Sequence, residues 1–387
     1  MSHHGDMELA TTAKRPSVHV RVSAIHQAFQ RAVNEHVFPG AVALVRSRGT
    51  VVFHEAVGTR GAPPDDQPVR LDSIYDLASL TKPLATSTAM LCLVQDGHLH
   101  LDQPVSQWAD EFRESPFAGV DLRQLLSHQA GLPAWRPYYE QLAPSALPPR
   151  NEEERRQRVH ALLNAIASEP IEYQPGSQSL YSDLGFLVLG EIVERCAGTS
   201  LAAYCRRRIY EPLGISSVAF LGCEETIAED PARLVPTEWE RWRNRLLCGE
   251  VHDENAYALG GCAGHAGLFG TVHAVGQLSA AWLQAVHGRD GVLSAALAKQ
   301  FTHRQSAMSS WGLGWDTPSA PSSSGTRFSS RAFGHVGFTG TSLWIDPSCD
   351  LEVIILSNRV HPTRTNQAIK AFRPQIHDAI YQEWGGR

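Results

Sequence analysis

Ser79 and Lys82 stand three residues apart in the run Tyr75-Asp76-Leu77-Ala78-Ser79-Leu80-Thr81-Lys82-Pro83. On a helix that spacing puts both side chains on one face, about 5–6 Å between Cβ atoms, so an amine reaches a hydroxyl. A serine hydroxyl is a poor nucleophile at neutral pH until a neighbour takes its proton. Lysine can be that neighbour where arginine cannot, because an ammonium changes its pKa readily when desolvated. Only four of the 34 basic residues are lysines, so the spacing is not a product of lysine abundance. The same residues also fit an ordinary helix start, with Ser79 as N-cap and Lys82 on the surface. The flanks suit either reading: Ile74 to Leu77 is strand-like, Thr86 to Val94 continues in helical style, and Pro83 must fall in the first turn. A hydroxyl at that helix end would face backbone N–H groups that favour developing negative charge.

Two further stretches carry polar chemistry. Tyr181-Ser182-Asp183 precedes a helix; a phenol beside an ammonium can relay a proton from serine to a leaving group, whereas Ser182 or Asp183 can equally serve only as a cap. In Gly334-His335-Val336-Gly337-Phe338-Thr339-Gly340, glycines let a substrate lie close to a strand edge, and a backbone N–H there could join that of Ser79 in an oxyanion hole. The alternative is a glycine-rich hairpin with a surface histidine. His252-Asp253-Glu254 and Cys262/His265 form no closed ligand set, and no metal is expected; His265 reads as the brace of a glycine turn. Gly-x-Ser-x-Gly, phosphate-loop and dinucleotide fingerprints are absent, and no cofactor is expected.

These residues need elements to position them. Val22, Ile25, Phe29, Val33 and Val37 recur at helical spacing. Ala41 to Val45 and Thr50 to Val57 read as a hairpin. Short helical segments follow at Asp121 to His128, Glu152 to Ile166, Leu184 to Cys196 (closed by Gly198), Leu201 to Ile209 and Val275 to Val286. A proline-rich loop to Pro149 holds Trp135, Tyr138 and Tyr139, placed to line a pocket or to be core. Strand-like runs come at Arg327 to Gly334, Thr339 to Ile345 and Leu351 to Leu356, and Ile369, Phe372, Ile376, Ile380 and Trp384 close the chain as an amphipathic helix. The expected fold is α+β: an antiparallel sheet flanked by N- and C-terminal helices, with a helix-rich insertion. The boundaries expected are a disordered leader at 1–18, a discontinuous sheet domain at 19–78 and 270–387, and a helical domain at 79–269, with the site in the cleft between them.

Composition narrows the classes. The 387 residues are 43% apolar, enough for a substantial core, and the net charge is −6 without a basic block, which argues against nucleic acid. The longest apolar runs are too short to span a bilayer, and the polar start resembles no signal peptide. Seven scattered cysteines without a CxxC fit a reducing setting. A cytoplasmic protein with a small-molecule partner and no membrane or nucleic-acid partner is expected; a homo-oligomer stays open.

In this order, Ser-x-x-Lys, Tyr-x-Asp about a hundred residues on and His-x-Gly near the end, the chain resembles the serine β-lactamase and penicillin-binding protein superfamily, in particular its class C β-lactamase-like branch with the family VIII carboxylesterases. Leu125-Leu126-Ser127-His128-Gln129-Ala130-Gly131-Leu132-Pro133, Gly264-His265-Ala266-Gly267-Leu268 and Ser357-Asn358-Arg359-Val360-His361-Pro362 extend the resemblance over roughly 20 to 385. It implies Ser79 as nucleophile, Lys82 as its base, Tyr181 as second acid/base, and the N–H groups of Ser79 and Phe338 as oxyanion hole. It also implies Asp183, His335 and Gly337 as substrate contacts, Trp135 and Tyr138 being the aromatic candidates. Class C enzymes usually have asparagine at the place of Asp183 and lysine at that of His335. Losing that ammonium and gaining that carboxylate disfavour β-lactams and leave small neutral esters as the expected substrates. The rivals are a D-amino-acid amidase or peptidase on muropeptide-like fragments, a weak β-lactamase, an acyltransferase, and a catalytically silent scaffold or ligand sensor.

Overall fold

The computed structural model describes residues 23–61, 66–222 and 230–386. The leader expected over 1–18 lies outside the described residues. The elements used below are helix α1 (Ala24–Asn34), strands β1 (Gly40–Ser47), β2 (Thr50–Gly58) and β3 (Tyr75–Asp76), helices α2 (Thr88–Gln95) and α3 (Asp183–Ala197), strands β4 (Val218–Phe220) and β5 (Leu268–Gly270), helix α4 (Val272–Val286), strands β6 (Phe333–Val336), β7 (Ser342–Asp346) and β8 (Leu351–Ser357), and helix α5 (Ile369–Ile380).

Five strands form an antiparallel sheet in the order β2-β1-β8-β7-β6. β1 and β2 meet at Arg48 and Gly49, both with positive φ (51° and 79°), the conformation that matches the twist of paired strands. Side chains alternate across the sheet, so β1 serves two cores. Ala41, Ala43 and Val45 pack with Ile25 and Phe29 of α1 and with Ile376 and Ile380 of α5. Val42 and Leu44 belong to the larger core with Val275 and Leu278 of α4. Covered on both faces, β1 is an unbroken apolar run rather than an alternating one. The chain is therefore α+β, its sheet flanked by N- and C-terminal helices, with many helices in the intervening chain.

The first of the three late strands is shorter than its sequence suggests. It begins at Phe333, not Arg327, because carboxylates take the preceding amides: Asp378 accepts from the N–H of Thr326 and Arg327, and Asp346 from that of Ser329. A smaller sheet, β3-β5-β4, delivers the chain to Ser79. After a single tight turn at Ala78–Leu80, the segment Lys82–Ser87 is wound as a π-helix with Pro83 in its first turn and passes into α2. Ser79 caps neither segment, since Leu77 and Thr81 occupy the two cap positions. Ser182 does cap α3, accepting from the Gly185 N–H, and Gly198 ends that helix at φ 64°. Among the described residues no helix is long and apolar enough to cross a membrane.

Candidate active site

Ser79 follows a residue in an unfavourable conformation. Ala78 has φ 48°, in the left-handed region that costs a residue with a Cβ on the order of 1–3 kcal/mol. Hydrogen bonds from distant residues hold it there. The buried Asp76 carboxylate accepts from the N–H of Ala78 (2.8 Å) and of His252 (2.7 Å). The hydroxyls of Thr339 and Thr341 donate to the carbonyls of Asp76 (2.8 Å) and Leu77 (3.0 Å). Gly337 makes this approach feasible, because a Cβ there would lie 2.1 Å from Thr341 Oγ1 and 2.6 Å from Leu77 O. Gly337 and Phe338 are thus brought beside the Ser79 turn.

Lys82 is fully buried, and all three ammonium donors are taken. They go to Ser79 Oγ (3.0 Å), Asp183 Oδ1 (2.6 Å) and the His265 carbonyl (3.2 Å). Burial alone would lower the lysine's pKa, but the Asp183 carboxylate and the Tyr181 phenol outweigh it and raise it above its usual value. Lys82 in the resting enzyme is therefore an ammonium. Asp183, expected as a substrate contact, has its Oδ1 engaged by Lys82 although it also borders the cleft.

Tyr181 projects into the same corner, its ring centre 4.9 Å from Lys82 Nζ. Burial raises its pKa against the pull of Lys82, which keeps the phenol protonated at rest. Three rings surround it: His128 at 4.7 Å, Trp311 at 5.4 Å and His335 at 5.9 Å between centroids. His335 is 2% exposed and donates Nδ1–H to the Val336 carbonyl. Burial first, and then Lys82, push its pKa down to about 3, so it is a neutral imidazole. It stands in the cleft without the charge that a carboxylate would seek.

The cleft above Ser79 has a volume of about 680 Å³. Trp135, Tyr181, Asp183, His335, Gly337 and Phe338 all border it. Tyr138 does not: it is 8% exposed and its hydroxyl donates to Glu169 (2.8 Å), so it belongs to the packing behind the loop. That expectation is corrected. His265 pairs through Nε2 with Asp253 (2.8 Å), and His252 with Glu238 (2.8 Å), so these histidines are braces. Sequence reasoning missed Trp311, Asp316, Arg359, Lys370 and Arg373, all at the cleft. Asp316, its pKa raised by burial to about 6, and Trp311 come from a stretch without periodicity. Arg359 lay within a quoted motif, Ser357 to Pro362, and was the one with a signal.

Fold and site together define a serine hydrolase of the β-lactamase and transpeptidase type. The "Beta-lactamase" family model matches residues 25–376, and the chain belongs to that family. A protein of Escherichia coli K12 named "Putative D-alanyl-D-alanine carboxypeptidase" is 31% identical over 352 residues, 84% of this chain and 79% of that protein. Among solved structures, EstCE1, described as a hydrolase with promiscuous acyltransferase activity, superposes with a TM-score of 0.70 at 23% identity, covering 92% of this chain and 97% of its own. An octameric penicillin-binding protein homologue from Pyrococcus abyssi gives 0.69 at 20% identity, covering 93% of this chain and 77% of its own. At these identities the structural matches speak for the fold alone.

Proposed function

We propose that the protein hydrolyses small carboxylic esters through an acyl-enzyme on Ser79. The observation that carries this reading is the meeting of Ser79 Oγ, Lys82 Nζ and the Tyr181 ring at one end of the cleft. In the form in which the Lys82/Tyr181 pair has given up one proton to solvent, Ser79 attacks the carbonyl carbon, its proton passes into the pair, and the backbone N–H groups of Ser79 and Phe338 receive the oxyanion. The pair then protonates the leaving alcohol, and water or a second alcohol releases the acyl group. The neutral His335 favours uncharged esters, as does an Asp183 carboxylate where a substrate amide would need a donor and an acceptor. Intact-mass detection of an acyl-enzyme with p-nitrophenyl butyrate, absent in Ser79→Ala, tests the proposal. Absence of the adduct in the unaltered protein would overturn it.

A peptidase acting on D-amino-acid termini is the second reading. It is favoured by Arg359, Lys370 and Arg373, which also border the cleft. Arg359 and Arg373 donate to backbone carbonyls, of Phe338, Arg364 and Asn366 and of Gly337 and Thr341, rather than to carboxylates. Burial pushes the Arg373 pKa down to about 9, with Arg359 adding to the effect, so an anion there would relieve an unmet positive field. The name carried by the E. coli relative points the same way. Turnover of a D-alanyl-D-alanine peptide at a higher kcat/KM than any ester would reverse the order of the two readings.

A further inference from the structure

One buried side chain at this site has no part in the acyl-transfer scheme. His128 is 2% exposed and has φ 58°, the second non-glycine residue of the site in the left-handed region. Its loop is laced to the segment that bears Tyr181. The His128 carbonyl accepts from the Leu180 N–H (3.0 Å) and the Tyr173 hydroxyl (2.8 Å). Ser182 Oγ donates to the Pro133 carbonyl (2.6 Å), and the Asp183 N–H to that of Ala134 (2.9 Å).

Within this lacing, His128 Nδ1 accepts from the backbone N–H of Ser182 at 3.1 Å. A ring nitrogen that accepts carries no hydrogen, so the neutral imidazole has its proton on Nε2. That nitrogen is buried without an oxygen or nitrogen partner, and the ring stands edge-on to Trp311 at 4.5 Å and beside Phe186 at 5.2 Å. The surroundings oppose a second proton: burial first, then the Lys82 ammonium and His335, hold the pKa well below its usual value. A protonated His128 would lose the lone pair that holds Ser182. Burial and the Lys82 ammonium, which disfavour its charge, thus preserve the bond next to Tyr181.

We propose that His128 is a positioning residue for Tyr181: its Nδ1 lone pair anchors the Ser182 amide and thereby fixes the phenol against Lys82 and Ser79. This rests on the acyl-transfer reading for its catalytic consequence but not for its geometry. A purely space-filling role would need the ring's bulk and be indifferent to where an acceptor sits. The two roles separate with a pair of polar substitutions. In His128→Asn the amide oxygen takes the place of Nδ1, whereas in His128→Gln the polar end reaches only the place of Nε2.

The test has a kinetic and a kinetics-free arm. With p-nitrophenyl butyrate, kcat of His128→Asn is expected within about threefold of the unaltered enzyme, and that of His128→Gln about a hundredfold lower with KM changed less than about threefold, the loss typical of a reacting group displaced by about 1 Å. In the kinetics-free arm, nitrogen-15 NMR of the unaltered protein should find His128 in the Nε2–H form throughout pH 5–9. Hydrogen exchange of the Ser182 amide should be slow in it and in His128→Asn, and fast in His128→Gln. An Nδ1–H tautomer, equal kcat in the two variants, or Ser182 exchange unmoved by His128→Gln would each overturn the proposal. If no ester is turned over and Ser79 is never acylated, the ester reading fails, and the tautomer and the exchange contrast still decide the role of His128. The tautomer measurement needs no variant, so failure of either to fold leaves the claim testable.

Discussion

The Asp183 carboxylate lies 2.6 Å from the Lys82 ammonium, in a corner where Lys82 is wholly buried and also donates to Ser79. This contact keeps the lysine protonated at rest. The reactive form must then be one in which the coupled Lys82/Tyr181 pair has lost one proton, and both members have raised pKa values. Activity is expected to climb with pH from neutrality into the alkaline range. Asp183→Asn removes the charge that raises the Lys82 pKa, so the rising limb of kcat/KM should move to lower pH by about 1–3 units. A pH–rate profile of both proteins measures this; an unmoved limb would mean that another group controls the rate.

His335→Lys places a second ammonium in the cleft near Lys82. The ratio of kcat/KM for a carboxylate-bearing ester to that for its neutral counterpart should rise by about tenfold, the value of one extra 1.4 kcal/mol contact. The melting temperature should fall, because the new charge replaces a neutral ring that is 2% exposed. Paired kinetics on the two esters, with a thermal scan, gives both numbers.

Gly337→Ala should damage the site by sterics. The added Cβ would lie 2.1 Å from Thr341 Oγ1 and 2.6 Å from the Leu77 carbonyl, the oxygen that Thr341 already holds. Relief requires the strand and the Ser79 turn to part. A loss of about 1–3 kcal/mol in stability is expected from overpacking, along with a fall in kcat. Urea unfolding and steady-state kinetics on one preparation check the two effects.

Tyr138→Phe separates packing from chemistry. The hydroxyl bonds to the Glu169 carboxylate outside the cleft, so its loss should cost about 1–2 kcal/mol and leave kcat and KM unchanged. A rise in KM with unchanged stability would return Tyr138 to the substrate site.

Local physics made much of this legible. The three-residue spacing of Ser79 and Lys82 does bring amine to hydroxyl, the positive-φ turn at Arg48 and Gly49 follows from a short polar break between apolar runs, and Ser182 and Gly198 mark the ends of α3 as such residues do. What escaped depends on long-range choices. Tyr138 and Trp135 share one loop and one composition, and only the tertiary position of Glu169 decides that the first turns inward. The early end of β6 depends on Asp346 and Asp378, whose claim on the amides of 326 to 329 has no periodic signature. Trp311 and Asp316 reach the cleft from an irregular stretch. The resting charge of Lys82 was not legible locally for a related reason, since it depends on a carboxylate 101 positions away.

The turn at Ala78 has a temporal consequence. Two of the bonds that hold it come from Thr339 and Thr341, separated from their acceptors by 263 and 264 positions. A nascent chain emerging from the ribosome lacks those hydroxyls until residues 339 to 341 have been made, and β3 must wait for β5 as well. Loss of the segment from 339 onward would leave the turn that carries Ser79 without two of the bonds that hold it.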